Sequence, residues 1–314
     1  MGETPGSPTV SMKLQNMAAQ AQRYPAMVFN NGFHLLDRDF LQEASRRTRK
    51  DSAPGVDQVT AKQYAEHLEE NLRDLHERWQ DNRYVAPPVA RVWMEQEDGK
   101  KRPISKPGFE DKMVQRAGVM ILEAIFDPDF QAFAHGFRKG HSPHQALNEL
   151  REQCSKSHIQ WRVDAEVRGC FDTRDRSYLR ERLKQRVNDG GILRLIGKGL
   201  NAGVLEAGEL TYPDQGTPQG GVASPLLANV LLHHVLDEWF VTVVQPRMKG
   251  RGFLRRFADD CIIGCESKAD AQRVMAVVPK RCGRYHLTMH PEKTALIACN
   301  KPLRREHSAR GKAG

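Results

Sequence analysis

Residues 252–257 and 261–265 are two short extended, largely apolar runs separated only by Ala258-Asp259-Asp260, and no other feature constrains the fold as tightly. The arrangement is a β-hairpin with two carboxylates at its tip. In an ordinary turn an Asp-Asp pair would be solvated, but here the flanking strands hold both groups rigidly. A second strand is written into His158 to Glu166, where Ile159, Trp161 and Val163 alternate with Gln160, Arg162 and Asp164. Its period of two puts Asp164 and Glu166 on one face.

Acidic groups on neighbouring strands suit Mg²⁺, which takes hard oxygen ligands, and Asp259 with Glu166 or Asp164 would hold a metal pair for phosphoryl transfer. Adjacent carboxylates repel, and metals or the cations Arg255 and Arg256 are the expected compensation. The remaining elements are mostly helical. Tyr64, Leu68, Leu72, Leu75 and Trp79 recur at helical spacing across Thr60 to Gln80. Helices are expected at 111–126, 142–153, 178–187, 192–204 and 268–281, and a longer one at 224–243 with Ser224 as N-cap before Pro225. Tyr84 to Arg91 leads, past Pro87 and Pro88, into a hairpin turning at Glu97-Asp98-Gly99, followed by Lys100, Lys101 and Arg102. A short strand closes the pattern at 295–299. The whole is an α+β chain with a small antiparallel sheet packed by helices.

Forty-eight Lys and Arg against 39 Asp and Glu leave a formal charge of +9 over 314 residues, which favours a polyanionic partner, nucleic acid before membrane. The sequence lacks a run of about 18 uninterrupted apolar residues and a secretory leader, so a cytoplasmic location is expected. Cys154, Cys170, Cys261, Cys265, Cys282 and Cys299 contain no Cys-x-x-Cys pair and read as reduced, mostly buried thiols. Residues 1 to about 30 read as a flexible or partly helical lead-in, and residues 301–314 as a basic tail. Trp79, Trp93, Trp161 and Trp239 read as packing residues, and His141 and His144, which have no adjacent acidic or Cys partner, as non-ligands.

Phe257-Ala258-Asp259-Asp260 resembles the Tyr/Phe-Ala-Asp-Asp box of reverse transcriptases. The run Gln215-Gly216-Thr217-Pro218-Gln219-Gly220-Gly221-Val222-Ala223-Ser224-Pro225-Leu226-Leu227-Ala228-Asn229 resembles a loop of group II intron-encoded reverse transcriptases. Ser52 to Asp57, Lys101 to Ile104, Gly136-Phe137-Arg138 and Pro291 to Thr294 are similar to further family motifs, in family order across residues 45–300. The resemblance implies a right-hand polymerase with an N-terminal extension (1–44), fingers (45–160), a palm (161–300) and the basic tail (301–314). It also implies an RNA template such as intron RNA, a DNA primer, dNTPs, and two Mg²⁺ ions with Mn²⁺ as a substitute. By the same resemblance Asp259, Asp260 and Glu166 are the catalytic and metal-holding carboxylates. Arg102 and Lys101 contact the incoming triphosphate, Phe171 stacks under the sugar, and Gln219 lines the nucleotide pocket.

The first palm motif departs from the family, with Glu166 where Asp is usual in Glu166-Val167-Arg168-Gly169-Cys170-Phe171-Asp172. The extra methylene carries the carboxylate about 1.5 Å further into a site that demands near-ideal Mg²⁺ distances, so slower chemistry is expected. Asp164 lies about 6 to 7 Å upstream along the strand and is a poor replacement. Gln96, Lys106 and Ala134-His135 also differ from the family pattern, and the chain ends soon after Thr294 where the family continues into a thumb. Weaker primer-template binding is therefore expected. Two other readings follow: a catalytically inactive RNA-binding remnant, and another palm-type nucleotidyl transferase or cyclase, against which the Gly-rich loop argues.

Overall fold

A computed structural model describes residues 9–95, 99, 101–156, 158–168, 176–206, 208–212 and 220–299. Packing begins earlier than the composition of the lead-in suggests. Helix α1 (Val10–Arg23) starts at Thr9, whose Oγ1 accepts from Met12 N, and buries Leu14, Met17 and Ala21. Those three residues, spaced i, i+3 and i+7, form an apolar stripe among Gln and Ala. The nearly buried Arg186 fixes its C-terminal end by donating to the carbonyls of Ala21, Tyr24, Pro25 and Met27 while pairing with Asp129 at 2.8 Å.

Helix α2 (Arg38–Arg47) is capped by Asp37, which accepts from Phe40 N. The single helix expected over 60–80 is two, α3 (Ala61–Glu66) and α4 (Leu68–Gln80), because Asn71 Nδ2 takes the Tyr64 carbonyl at the break around His67. The predicted hairpin is present as β1 (Val89–Glu95) and β2 (Lys101–Lys106), antiparallel with Trp93 opposite Pro103. Glu97 and Asp98 of its turn lie outside the described residues, and Gly99 has φ +75°. Trp93 is 52% exposed rather than packed, its Nε1 donating to Glu206 Oε1 at 2.6 Å. Helix α5 (Phe109–Phe126) is buried on nearly every face, as expected of a helix apolar all round.

Helix α6 (Pro143–Lys156) and strand β3 (Trp161–Arg168) follow, then α7 (Arg176–Lys184) and α8 (Gly190–Leu200). The helix expected to run to Val204 stops at Leu200. Val204 instead opens β4 (Val204–Glu206), which pairs in parallel with β1 and antiparallel with β5 (Glu209–Thr211). Val89, Ala202 and Val204 form a small buried cluster at this junction, a non-local contact that overrides the helical spacing.

Helix α9 (Ser224–Leu232) starts with Ser224 and Pro225 inside its first turn. Ala223, not Ser224, holds the cap position, and its N–H donates to Gln115 Oε1 on α5. The helix continues through wider five-residue turns at His233–Glu238 and Phe240–Val244 and ends at Gln245–Arg247. Ser224–Arg247 is long and apolar enough to cross a membrane, yet its most apolar stretch is 61% buried within the protein, as a core helix requires. Strands β6 (Gly252–Phe257) and β7 (Asp260–Cys265) form the second expected hairpin. Helix α10 (Lys268–Gly283), β8 (Thr288–Met289) and β9 (Ala295–Ala298) complete the chain.

The main sheet runs β6-β7-β3-β8, with β9 also paired to β3. Val163, Ala165 and Val167 of β3 enter a core with Leu231, Leu236 and Phe240 of the long helix and Val274 and Val278 of α10. The alternate residues Asp164 and Glu166 therefore face away from that helix layer. A second core gathers α1, α2, α4 and α5 with Leu179, Leu195 and Leu227. Core membership thus does not follow the chain division at residue 160. Cys261, Cys265 and Cys282 are buried free thiols, and burial pushes Cys261 and Cys265 up to about 12. Cys170 lies outside the described residues.

Among the described residues the largest fully buried side chain is that of Arg256, which meets Asp237 through Nε–Oδ1 at 2.8 Å and Nη2–Oδ2 at 2.6 Å. Burial alone would raise the Asp237 carboxyl, but the Arg256 guanidinium and its hydrogen bonds outweigh it and hold the group below the ordinary carboxylate range. Replacing Asp237 with Asn leaves a buried guanidinium without its counter-charge and should cost roughly 3–5 kcal/mol in urea unfolding. Because the folded carboxyl titrates below its unfolded value, its contribution is present above about pH 4 and lost as pH falls through the folded value. In the Asp237→Asn protein that part of the acid limb should be absent.

Candidate active site

The antiparallel register of β3 and β7 sets Glu166 directly opposite Asp260. One residue earlier, Asp259 occupies the turn, and its carbonyl accepts from Val167 N at 3.1 Å, tying the turn to β3. Backbone geometry alone brings the three carboxylates expected from the sequence into one neighbourhood.

The turn itself is held from behind. Ala258 has φ +57°, a left-handed conformation unusual for a residue with a side chain. Arg256 Nη1 donates to the Ala258 carbonyl at 3.0 Å and to Asn229 Oδ1 at 2.9 Å, while Asn229 Nδ2 donates to the Gly136 carbonyl at 2.7 Å. Gly136 lies so close that a Cβ there would be 2.1 Å from Ala258 N. Backbone hydrogen bonds between 133–135 and Arg256 close the contact. Three separate motifs therefore meet at the hairpin: Gly136-Phe137-Arg138, the end of the Gly-rich run at Asn229, and the Phe-Ala-Asp-Asp box.

Charge compensation differs from the sequence expectation. Arg256 points into the core toward Asp237, and Arg255 Nε turns to Glu149 Oε2 at 3.6 Å. Lys293 supplies the cation, its Nζ lying 3.0 Å from Glu166 Oε1 and 2.7 Å from Oε2. Asp164 pairs with Arg162 Nε at 3.2 Å, so it is already engaged on its own strand. Burial raises the Asp260 carboxyl, with Asp259 and Glu166 adding to the rise and Lys293 opposing it. The hydrogen bond to Glu166 raises the Lys293 ammonium. Among the described residues, Lys293 is thus the cation that opposes the mutual repulsion of Glu166, Asp259 and Asp260.

Hard oxygen donors in such a cluster suit a divalent cation. Among the described residues, however, no three His, Cys, Asp or Glu side chains already converge as metal ligands. Glu166, the residue with the longer side chain, is turned to Lys293. Lys101 and Arg102 lie on β2 opposite Glu95 and Met94, and Lys101 is exposed. Phe171 and Gln219 lie outside the described residues. The motif at 52–57 is structural here: Lys112 Nζ donates to Ala53 O at 2.6 Å and Ser52 Oγ at 3.0 Å, and Gly55 packs on the Gly108 backbone. His141 Nδ1 lies 3.1 Å from Nδ1 of the buried His135. Sequence reasoning quoted Lys293 and Asn229 inside motifs without giving either this role, and Asp237 carried no local signal at all.

Residues 94–307 match the family model described as Reverse transcriptase (RNA-dependent DNA polymerase). Protein YkfC of Escherichia coli (strain K12) is 30% identical over 231 residues, 71% of this chain and 61% of that protein. The Group II intron-encoded protein LtrA of Lactococcus lactis subsp. cremoris is 37% identical over 182 residues, 58% of this chain and 29% of that protein. Nuclear intron maturase 1, mitochondrial, of Arabidopsis thaliana is 31% identical over 132 residues, 39% of this chain and 18% of that protein. The chain thus spans less than two thirds of each of these relatives.

Two substitutions test the site's construction. Lys293→Met removes the group that opposes the rise of Asp260, so the Asp260 carboxyl should move further up in an NMR carboxyl titration. Gly136→Ala forces a methyl against the Ala258 backbone and should cost about 1–3 kcal/mol on thermal unfolding, with chemical-shift changes at 257–260.

Proposed function

The chain belongs to the reverse transcriptase (RNA-dependent DNA polymerase) family, and we propose on that footing that it is an RNA-directed DNA polymerase of the group II intron type. It would extend a DNA primer on an RNA template such as intron RNA, using dNTPs. The observation that supports this best is the pairing of Glu166 with Asp260 across β3 and β7, with Asp259 in the adjoining turn.

Members of this family use divalent metal ions, and Asp259, Asp260 and Glu166 are the groups that would hold two Mg²⁺ ions here, or Mn²⁺ in their place. When bound, such ions activate the primer 3′-hydroxyl and neutralise charge on the phosphate under attack. The hydroxyl oxygen forms its bond to the α-phosphorus in line with the bond that breaks to pyrophosphate. The carboxylates' task is positional: they are fixed by the strand register and by the turn that Arg256 holds. Lys293 neutralises Glu166 here and is exposed enough that such ions could take over that role. Arg102 and Lys101 would meet the triphosphate, where a guanidinium donates paired hydrogen bonds. Phe171 would stack under the sugar and disfavour a 2′-hydroxyl, and Gln219 would line the nucleotide pocket.

Primer extension on an RNA template, run with Mg²⁺ and with Mn²⁺, tests the proposal. Incorporation of dNTPs should be lost in Asp259→Ala and increased in Glu166→Asp, whose shorter side chain suits octahedral Mg²⁺. No incorporation by any of these proteins under either ion, with salt-sensitive RNA binding retained, would overturn it in favour of a catalytically inactive RNA-binding protein.

A further inference from the structure

We infer that the groove between the end of the long helix at Trp239–Arg247 and the outer face of α10 is a docking site for an acidic, amphipathic segment of a partner protein. The groove encloses about 360 Å³, and Trp239, Val243, Val274 and Val277 supply its apolar lining. Val277 is 38% exposed, an aliphatic side chain left in solvent on a helix that is otherwise charged along this edge.

Arg247, Arg273, Lys280, Arg281 and Arg284 surround that lining. The groove's carboxylate, Asp270, is already occupied by Lys249 N, Gly250 N, Ser267 Oγ and Arg273. Arg281 is held in place by the carbonyls of Val235 and His234 and stacks on Trp239 and Tyr285. An apolar slot with a fixed cationic rim matches a helix that presents aliphatic anchors at i, i+3/i+4 and i+7 with Asp and Glu on its flanks.

Charge decides against residues 301–314 and against a second copy. Residues 301–314 carry Lys301, Arg304, Arg305, Arg310 and Lys312 against Glu306 and would be repelled, as would a second copy of a chain with net charge +9. Nucleic acid could use the cationic rim through its phosphates but would leave the apolar lining of Trp239, Val243 and Val277 unfilled. The groove also lies on the helix layer, and Glu166 and Asp260 belong to the face of the sheet turned away from that layer. A partner could dock there without entering the carboxylate site, and this inference stands independently of the polymerase reading.

The probe is a fluorescent helical peptide of roughly 18 residues with Leu at the anchor spacing and Glu on both flanks. It is compared with a scrambled peptide of the same composition and with single-stranded RNA of about 20 nucleotides as competitor. Anisotropy should show saturable, salt-sensitive binding that weakens at least about tenfold in Val277→Glu and in the double variant Lys280→Glu/Arg284→Glu. The urea midpoint of each variant should be unchanged, and the double variant alters exposed residues only, so it decides the matter if Val277→Glu does not fold. Absence of saturable binding, equal binding of the scrambled peptide, or indifference to the variants overturns the inference. Displacement of the peptide by RNA would also overturn it and make the groove a nucleic-acid surface.

Discussion

The buried contact between Arg256 and Asp237 governs where the carboxylates stand. A guanidinium removed from water must be fully paired, and Arg256 achieves this with Asp237, Asn229 and the Ala258 carbonyl. Each partner comes from a different piece of chain: the widened part of the long helix, its first turns, and the hairpin turn. One side chain thus locks the helix layer to the tip that carries Asp259 and Asp260. It also stabilises Ala258 in a backbone conformation that an isolated turn would leave.

The front of the hairpin has the opposite electrostatic character. Three carboxylates crowd together, and among the described residues a compensating cation is Lys293, more than half exposed and on a different segment. The rear ion pair is sealed and the front one is open to water, so only the front pair can exchange its cation for a ligand at small desolvation cost. Rigid support behind and replaceable charge in front suit the proposed phosphoryl transfer, whose catalysis is mostly positioning and electrostatics.

Much of this was legible in the sequence where the signal is local. The two hairpins, the alternation along β3 and the helices expected at 111–126 and 268–281, found at Phe109–Phe126 and Lys268–Gly283, follow from spacing and turn residues. The local signal failed where a distant partner intervened. The break at His67 depends on a side-chain bond from Asn71, β4 exists because Val89 and Ala202 offer it a buried edge, and the end of α1 is fixed because distant Arg186 collects the carbonyl of Ala21 and those of the turn after it. Arg255 and Arg256 looked like compensating charges because they precede the acidic pair, but strand alternation sends Arg256 into the helix-side core, and Arg255, on the other face, is drawn to Glu149 of a distant helix.

The sequence by itself marked the residues proposed to carry the chemistry: the Phe-Ala-Asp-Asp turn, Glu166 on a strand of period two, and the ordered motifs that mark the family. It also determined the substitution of Glu for Asp, since side-chain length is a property of the residue. Only the tertiary structure decided which cation answers those carboxylates, why position 136 must be Gly, and how Asp237, without any sequence pattern to mark it, anchors the site. The physical reason is range. Spacing and hydropathy encode contacts within a few residues, whereas burial of a charge is settled by whatever the whole fold brings against it.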